Sequence, residues 1–160
     1  MTVTEEQIGK LATACYGSSE SITTDDGTVY RLNVEIDEYT TVEDYECYGR
    51  FGWGRDNDYG SVRPDGFSGR ARILTRDHHS KYWWEPHPEV PDDKLDIEQR
   101  SVRELVENGF YGLVLERCEG TDHYGKPIVR DSASLWGIEG NCDESYAREI
   151  VSDLLAELTQ

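Results

Sequence analysis

The sequence predicts one α+β domain: an antiparallel sheet with about three helices packed on one face. Three observations predict it. Runs of alternating apolar and polar residues are joined by turn signals short enough for hairpins, and three other stretches carry helical spacing. These runs follow one another as helix, strands, helix, hairpin, helix, without the strict strand–helix alternation of a parallel sheet. The chain has 160 residues, which fits a single domain over residues 1–160 and suffices for a core without metal or disulfide staples.

The first helix is expected over residues 2–16. Thr2 with Glu5, or Thr4 with Gln7, supplies a capping box. Ile8, Leu11, Ala12, Cys15 and Tyr16 fall on one face, and Gly17 is the expected stop. Asp26-Gly27 marks a tight turn between Ile22–Thr24 and a clear strand. In that strand Tyr30, Leu32, Val34 and Ile36 alternate with Arg31, Asn33, Glu35 and Asp37, so the first set faces the core and the second water. A second strand is expected from about Val42 to Phe51. Residues 49–69, rich in Gly and Asp, read as a long loop or a pair of bent hairpins. Arg70–Thr75 reads as a further strand, and Pro86, Pro88 and Pro91 make residues 85–93 an extended connector.

The second helix is expected over Leu95–Glu107, ended by Asn108-Gly109; a shorter version would be capped by Ser101 with Glu104. A hairpin follows, with strands Tyr111–Cys118 and Ile128–Ile138 around a loop holding Gly120, Asp122 and Gly125. The last helix is expected over Asp143–Leu158, with Asn141 and Glu144 as its capping box and Tyr146, Ile150, Leu154 and Leu158 as its apolar stripe.

Thirty-three acids against 16 bases give a net charge of −17. That balance opposes binding to nucleic acid, whose affinity comes from Lys and Arg neutralising phosphates, and opposes docking on an anionic membrane. It leaves basic proteins as the partners that charge favours. Cys15, Cys47, Cys118 and Cys142 contain no Cys-x-x-Cys pair and are too sparse for a disulfide scaffold, so they read as reduced thiols of a cytoplasmic protein. The first residues are acidic and polar, unlike a signal peptide, and no apolar run approaches the length of a membrane span. The bases are twelve Arg and four Lys, a bias that fits a GC-rich genome.

Two constellations stand out. Residues 61–87 carry 3 acids and 5 bases, a basic island in an acidic chain. Arg70, Arg72 and Arg76 share parity, and a continuous strand would put them on one face. His78, His79 and His87 lie nearby, with Tyr82, Trp83 and Trp84 between them. Such a set suits a phosphate, a base or a carboxylate; the plainer reading pairs these arginines with the chain's own acids. The second constellation is Glu35, Asp37, Glu38, Glu43, Asp44 and Glu46. Alternate carboxylates on a strand stand about 6.6 Å apart, close to the phosphate spacing of a nucleic-acid strand. They would offer a basic protein a nucleic-acid-like face, or simply be a solvated strand. Trp83 and Trp84 are adjacent, so on a strand they point to opposite faces and one is expected exposed, as a binding anchor. Trp136 is expected in the core.

Other motifs fall short. Asp77-His78-His79 resembles the Asp-His-His phosphoesterases but lacks their further Asp motifs, and the histidine spacing matches no structural zinc pattern. Asp56-Asn57-Asp58 resembles a calcium loop, yet Phe67 stands where the bidentate Glu belongs. Walker, Gly-x-Ser-x-Gly and His-Glu-x-x-His motifs are absent, so neither catalytic residue, metal nor cofactor is assigned.

Ser134-Leu135-Trp136-Gly137-Ile138-Glu139 followed by an acidic terminal helix resembles small acidic accessory proteins of actinobacterial bacteriophages, over about the last quarter of the chain. The resemblance implies a phage-gene setting, in which such proteins bind and modulate a host or rival protein; it carries no fold, ligand or catalytic residue with it. The expectation is a non-enzymatic module that binds a basic host or defence protein inside the bacterial cytoplasm, through Glu35, Asp37, Glu43 and Asp44 with Trp83 or Trp84. The alternative is a small enzyme or ligand- or metal-binding protein using Arg70, Arg72, Arg76, His78, His79 and His87.

Overall fold

A computed structural model of the chain describes residues 3–16, 19–57, 60–76, 80–140 and 143–159. The fold is α+β and its sheets are antiparallel. In chain order the elements are α1 (Glu5–Ala12), β1 (Ser19–Thr23), β2 (Val29–Asp37), β3 (Arg50–Asn57), β4 (Gly60–Ser61), β5 (Arg72–Arg76), β6 (Ser80–Glu85), α2 (Leu95–Asn108), β7 (Phe110–Thr121), β8 (Pro127–Glu139) and α3 (Glu144–Leu158). Where one sheet was expected there are two, ordered β1-β2-β7-β8 and β4-β3-β6-β5. They belong to two compact units, Met1–Glu38 with Phe110–Gln160, and Tyr39–Gly109.

In the first unit, α1 starts at Thr4, whose hydroxyl accepts the Gln7 N–H at 3.3 Å while Gln7 Oε1 accepts the Thr4 N–H at 3.0 Å. That is the second of the two capping boxes the sequence offered. The helix gives way to a 3₁₀ turn at Thr13–Tyr16, and the expected stop, Gly17, lies outside the described residues. The turn at Gly27 (φ +85°) is tied by Asp26, which accepts from Thr24 Oγ1 at 2.6 Å and from Thr28 N at 3.1 Å. α3 is capped by Asp143, which accepts the Tyr146 N–H at 2.8 Å. The cap therefore falls two residues later than the expected Asn141, which lies outside the described residues.

α1 and α3 pack against one face of this sheet. Ile8, Leu11, Tyr30, Leu32, Leu113, Leu115, Ala133, Ile150, Val151 and Leu154 form the core there. Burying each large aliphatic side chain contributes about 1.5–3 kcal/mol before entropy is counted. The period-two reading of β2 holds for Tyr30 and Leu32 but not to the end of the strand. The register runs without a slip to Asp37↔Phe110, so Ile36 points the same way, yet the helical core does not reach it and it is 80% exposed. Asp37, expected in water, is only 7% exposed.

In the second unit the expected strand over residues 42–51 does not form. Two 3₁₀ turns, Val42–Asp44 and Glu46–Tyr48, occupy most of it, and the chain joins the sheet only at Arg50. Asp44 closes the first turn by accepting the Thr41 N–H at 2.7 Å. Gly49 (φ +105°) ends the second where a Cβ would lie 2.1 Å from the Glu85 carbonyl oxygen, so no other residue fits. The Gly-rich stretch 49–69 is the β3–β4 hairpin and a loop folded back on the sheet: a Cβ at Gly52 would press on Pro64 and Phe67, and one at Gly54 would collide with Val62 O and the Trp83 ring.

Trp83 and Trp84 point to opposite faces of β6, yet both are buried. Trp84 joins Leu74, Tyr82 and Val102 in the core that α2 covers, and its Nε1 donates to Tyr48 O at 2.5 Å. Trp83 fills the space that Gly54 leaves. The expected exposed anchor is therefore neither of them. The exposed tryptophans are Trp53 (59%) and Trp136 (46%).

Candidate functional site

The basic island of residues 61–87 contributes to a cleft in the second unit. Glu46, Gly49, Arg50, Ser68, Arg70, Glu85, Pro86, His87 and Pro88 enclose about 550 Å³, a volume within the range of small-ligand sites. Its cations are already engaged. Arg50 donates to Glu85 and, at 2.8 Å, to Gly66 O, with its guanidinium 4.8 Å above the centre of the Phe67 ring. Arg70 donates to Val90 O and lies 3.1 Å from an Asp92 oxygen. Arg72 donates to Arg70 O at 3.1 Å. Arg70 precedes β5 instead of lying on it, so the three arginines do not share one strand face. Only the backbone of Arg76 is described, and His78 and His79 lie outside the described residues.

Glu85 anchors the cleft. Burial alone would raise its carboxyl, but hydrogen bonds from Ser68 and the charge and hydrogen bonds of Arg50 outweigh burial and hold it below its ordinary value. His87 accepts the Glu89 N–H on Nδ1 at 3.3 Å, so its neutral imidazole carries the proton on Nε2. A neighbouring cleft places His87 with Cys47, the exposed cysteine among those described. Among the described residues, no group of three or more His, Cys, Asp or Glu is placed to hold a metal ion.

The expected acidic face is divided. Glu35 and Asp37 belong to the first unit, Glu43 and Asp44 to the second. Glu43 accepts the Tyr82 hydroxyl hydrogen bond; burial first, and this bond second, push the Tyr82 phenol well above its ordinary value. Asp44 is spent on its own turn. Asp37 is a positioning group: its Oδ2 accepts the Gly137 N–H at 3.0 Å.

That bond organises a feature the sequence reading placed in the core. Between Tyr111↔Ile138 and Leu113↔Leu135 the β7–β8 register shifts, as a bulge demands, and Gly137 takes φ +75°. The bulge lays Trp136 over Gly112, on the sheet face opposite α1 and α3; a Cβ at Gly112 would come within 2.3 Å of the indole. Trp136 Nε1 donates to Ser134 Oγ at 3.1 Å. Gly112 thus leaves room for the exposed indole and Ser134 accepts its N–H, while Asp37 and Gly137 shape the bulge that carries it. The signal for it was present, since a glycine inside a strand pattern marks a bulge or a close approach.

Comparison of the chain with family models, with curated proteins and with solved structures finds no match. Among the described residues, no helix is long and apolar enough to cross a membrane.

Proposed function

We propose that this protein is a non-enzymatic binding module that docks on a basic protein and modulates it, in a phage-infected bacterial cytoplasm. Trp136 carries the reading: an exposed indole laid over Gly112 and hydrogen-bonded to Ser134 is the kind of residue that supplies most of an interface's energy. The charge supports it too. The first unit, which carries Trp136, bears 18 acids and 6 bases and the second 15 and 10, so the first contributes more of the field that would steer a basic partner. Glu35, exposed on the same sheet face, belongs to that field, whereas Asp37 acts through the bulge.

Affinity capture from lysate of a GC-rich actinobacterium at about 50 mM and about 500 mM salt tests the reading. Retention of one basic protein at low salt, lost at high salt and lost with Trp136→Ala, is the expected result. Retention that ignores both the salt and the substitution would sink it. A second reading rests on the cleft around Glu85: a small ligand held by Arg50, Arg70 and His87. It requires the ligand to displace the carboxylates that hold both arginines, and calorimetry against anionic metabolites decides it.

A further inference from the structure

The two sheets treat their edges differently. Along β5, at the irregularity between Ile73 and Thr75, side chains of α2 bind two strand carbonyls: Gln99 Nε2 donates to Ile73 O at 2.9 Å, and Arg103 donates to Leu74 O at 3.0 Å and to Ile73 O at 3.3 Å. An unpaired edge is a template for another chain, and such caps close it. β8 is also an edge, pairing with β7 alone among the described strands, and it is 13 residues long. Most of its side chains are exposed. Its register with β7 is broken on both sides but regular from Arg117↔Asp131 to Leu113↔Leu135. Over that stretch the side chains are Asp131, Ser132, Ala133, Ser134 and Leu135: four are small or short, lysine and proline, which guard natural edges, are missing, and the Ser132 N–H donates to Oδ1 of the neighbouring Asp131 at 3.0 Å, a local bond that a pairing strand would have to replace. Trp136 stands at one end and Val129, also exposed, near the other.

We propose that β8 is a strand-addition site: an extended, lysine- or arginine-rich segment of the partner pairs antiparallel or parallel with Asp131–Leu135 and lays an apolar side chain against Trp136. Main-chain hydrogen bonds to β8 supply affinity and the side chains flanking it supply selection, as in other strand-addition complexes. Charge complementarity selects this occupant over a second copy of the chain, because two units of 18 acids and 6 bases repel one another. The inference rests on the binding-module reading and names its surface.

The test uses the full chain, a ten-residue peptide of alternating lysine and valine, and the same peptide N-methylated at alternate residues, read by residue-resolved amide exchange and by sedimentation. The expected result is saturable binding of the unmethylated peptide at low salt, with exchange at 131–135 slowed at least about tenfold, loss of binding on N-methylation, and weakening by Trp136→Ala at least about tenfold. Equal binding of both peptides, or binding without slowed exchange at 131–135, overturns strand addition while leaving the binding-module reading intact. No binding by either peptide overturns this proposal; if lysate capture also fails, the broader reading falls with it. A dimer of the protein alone with exchange slowed at 131–135 overturns it as well, assigning the edge to a second copy.

Discussion

At the scale of single residues, the surface anchor and its supports make separable predictions. Gly112→Ala puts a methyl group where the Trp136 ring lies, with 2.3 Å between them. Overpacking of this kind costs about 1–3 kcal/mol, and the ring must swing away. Urea unfolding should show that loss, with a changed indole emission in the folded state. Asp37→Ala leaves the Gly137 N–H without its carboxylate, a loss of about 1–3 kcal/mol by the same assay. Glu85 predicts a pH dependence. Its carboxyl lies below its ordinary value of 4.5 in the folded chain, so its contribution is present above that value and lost as pH falls through the folded one. The urea-midpoint gap between wild type and Glu85→Gln should therefore be wide at neutral pH, about 1.5–3 kcal/mol for hydrogen bonds to a charge, and narrow towards pH 3. An equal gap at both pH values would show that Glu85 acts without its charge.

At the scale of elements, what the sequence displayed was local and what it hid was tertiary. α1, α2, the β7–β8 hairpin and α3 were readable because caps, glycine stops and apolar spacing agree within each segment. The strand expected at 42–51 failed because alternation there competes with a Thr41–Asp44 turn and with Gly49, and only packing decides between them. The tryptophans were misassigned for the same reason. Trp83 is buried by a loop that returns over Gly52 and Gly54, contacts distant in sequence, and Trp136 is lifted out by a bulge that depends on Asp37, 100 positions away. The strand face expected for the arginines did not form, because Arg70 precedes β5; the expectation that they pair within the chain met a carboxylate at Asp92 and, beyond it, the backbone carbonyls of Val90 and Arg70. The edge cap on β5 offers a test at this scale. The Gln99→Ala, Arg103→Ala double variant bares two carbonyls of β5. It should lose about 1–3 kcal/mol and scatter more light on mild heating, because an open edge recruits other chains. Unchanged scattering with lowered stability would mean that the two side chains bind the strand without guarding it.

At the scale of the whole molecule, charge sets the terms on which the fold persists. A net charge of −17 on 160 residues stores self-repulsion that folding concentrates and unfolding relaxes. Salt screens it, since the Debye length falls from about 30 Å at 0.01 M to about 3 Å at 1 M. Added salt should therefore stabilise this protein, although it weakens each ion pair that holds Arg50 and Arg70. The Arg70–Asp92 pair, with its carboxylate open to solvent, is worth about 0–1 kcal/mol, and the Arg50–Glu85 pair is screened less because Glu85 is largely covered, so neither reverses the trend. The division of charge makes the prediction local. With 18 acids against 6 bases, the unit containing β8 and α3 gains more from screening than the unit containing β6 and α2, with 15 against 10. Amide exchange at low and high salt measures this region by region. Exchange in Phe110–Gln160 should slow more on adding salt than exchange in Tyr39–Gly109. The opposite order would mean that specific pairs in the second unit, and not the net field, govern how salt acts. A basic partner seated on the first unit would do what salt does, by supplying counter-charge where repulsion is greatest, so the segments that salt slows most are the ones such a partner should stabilise most.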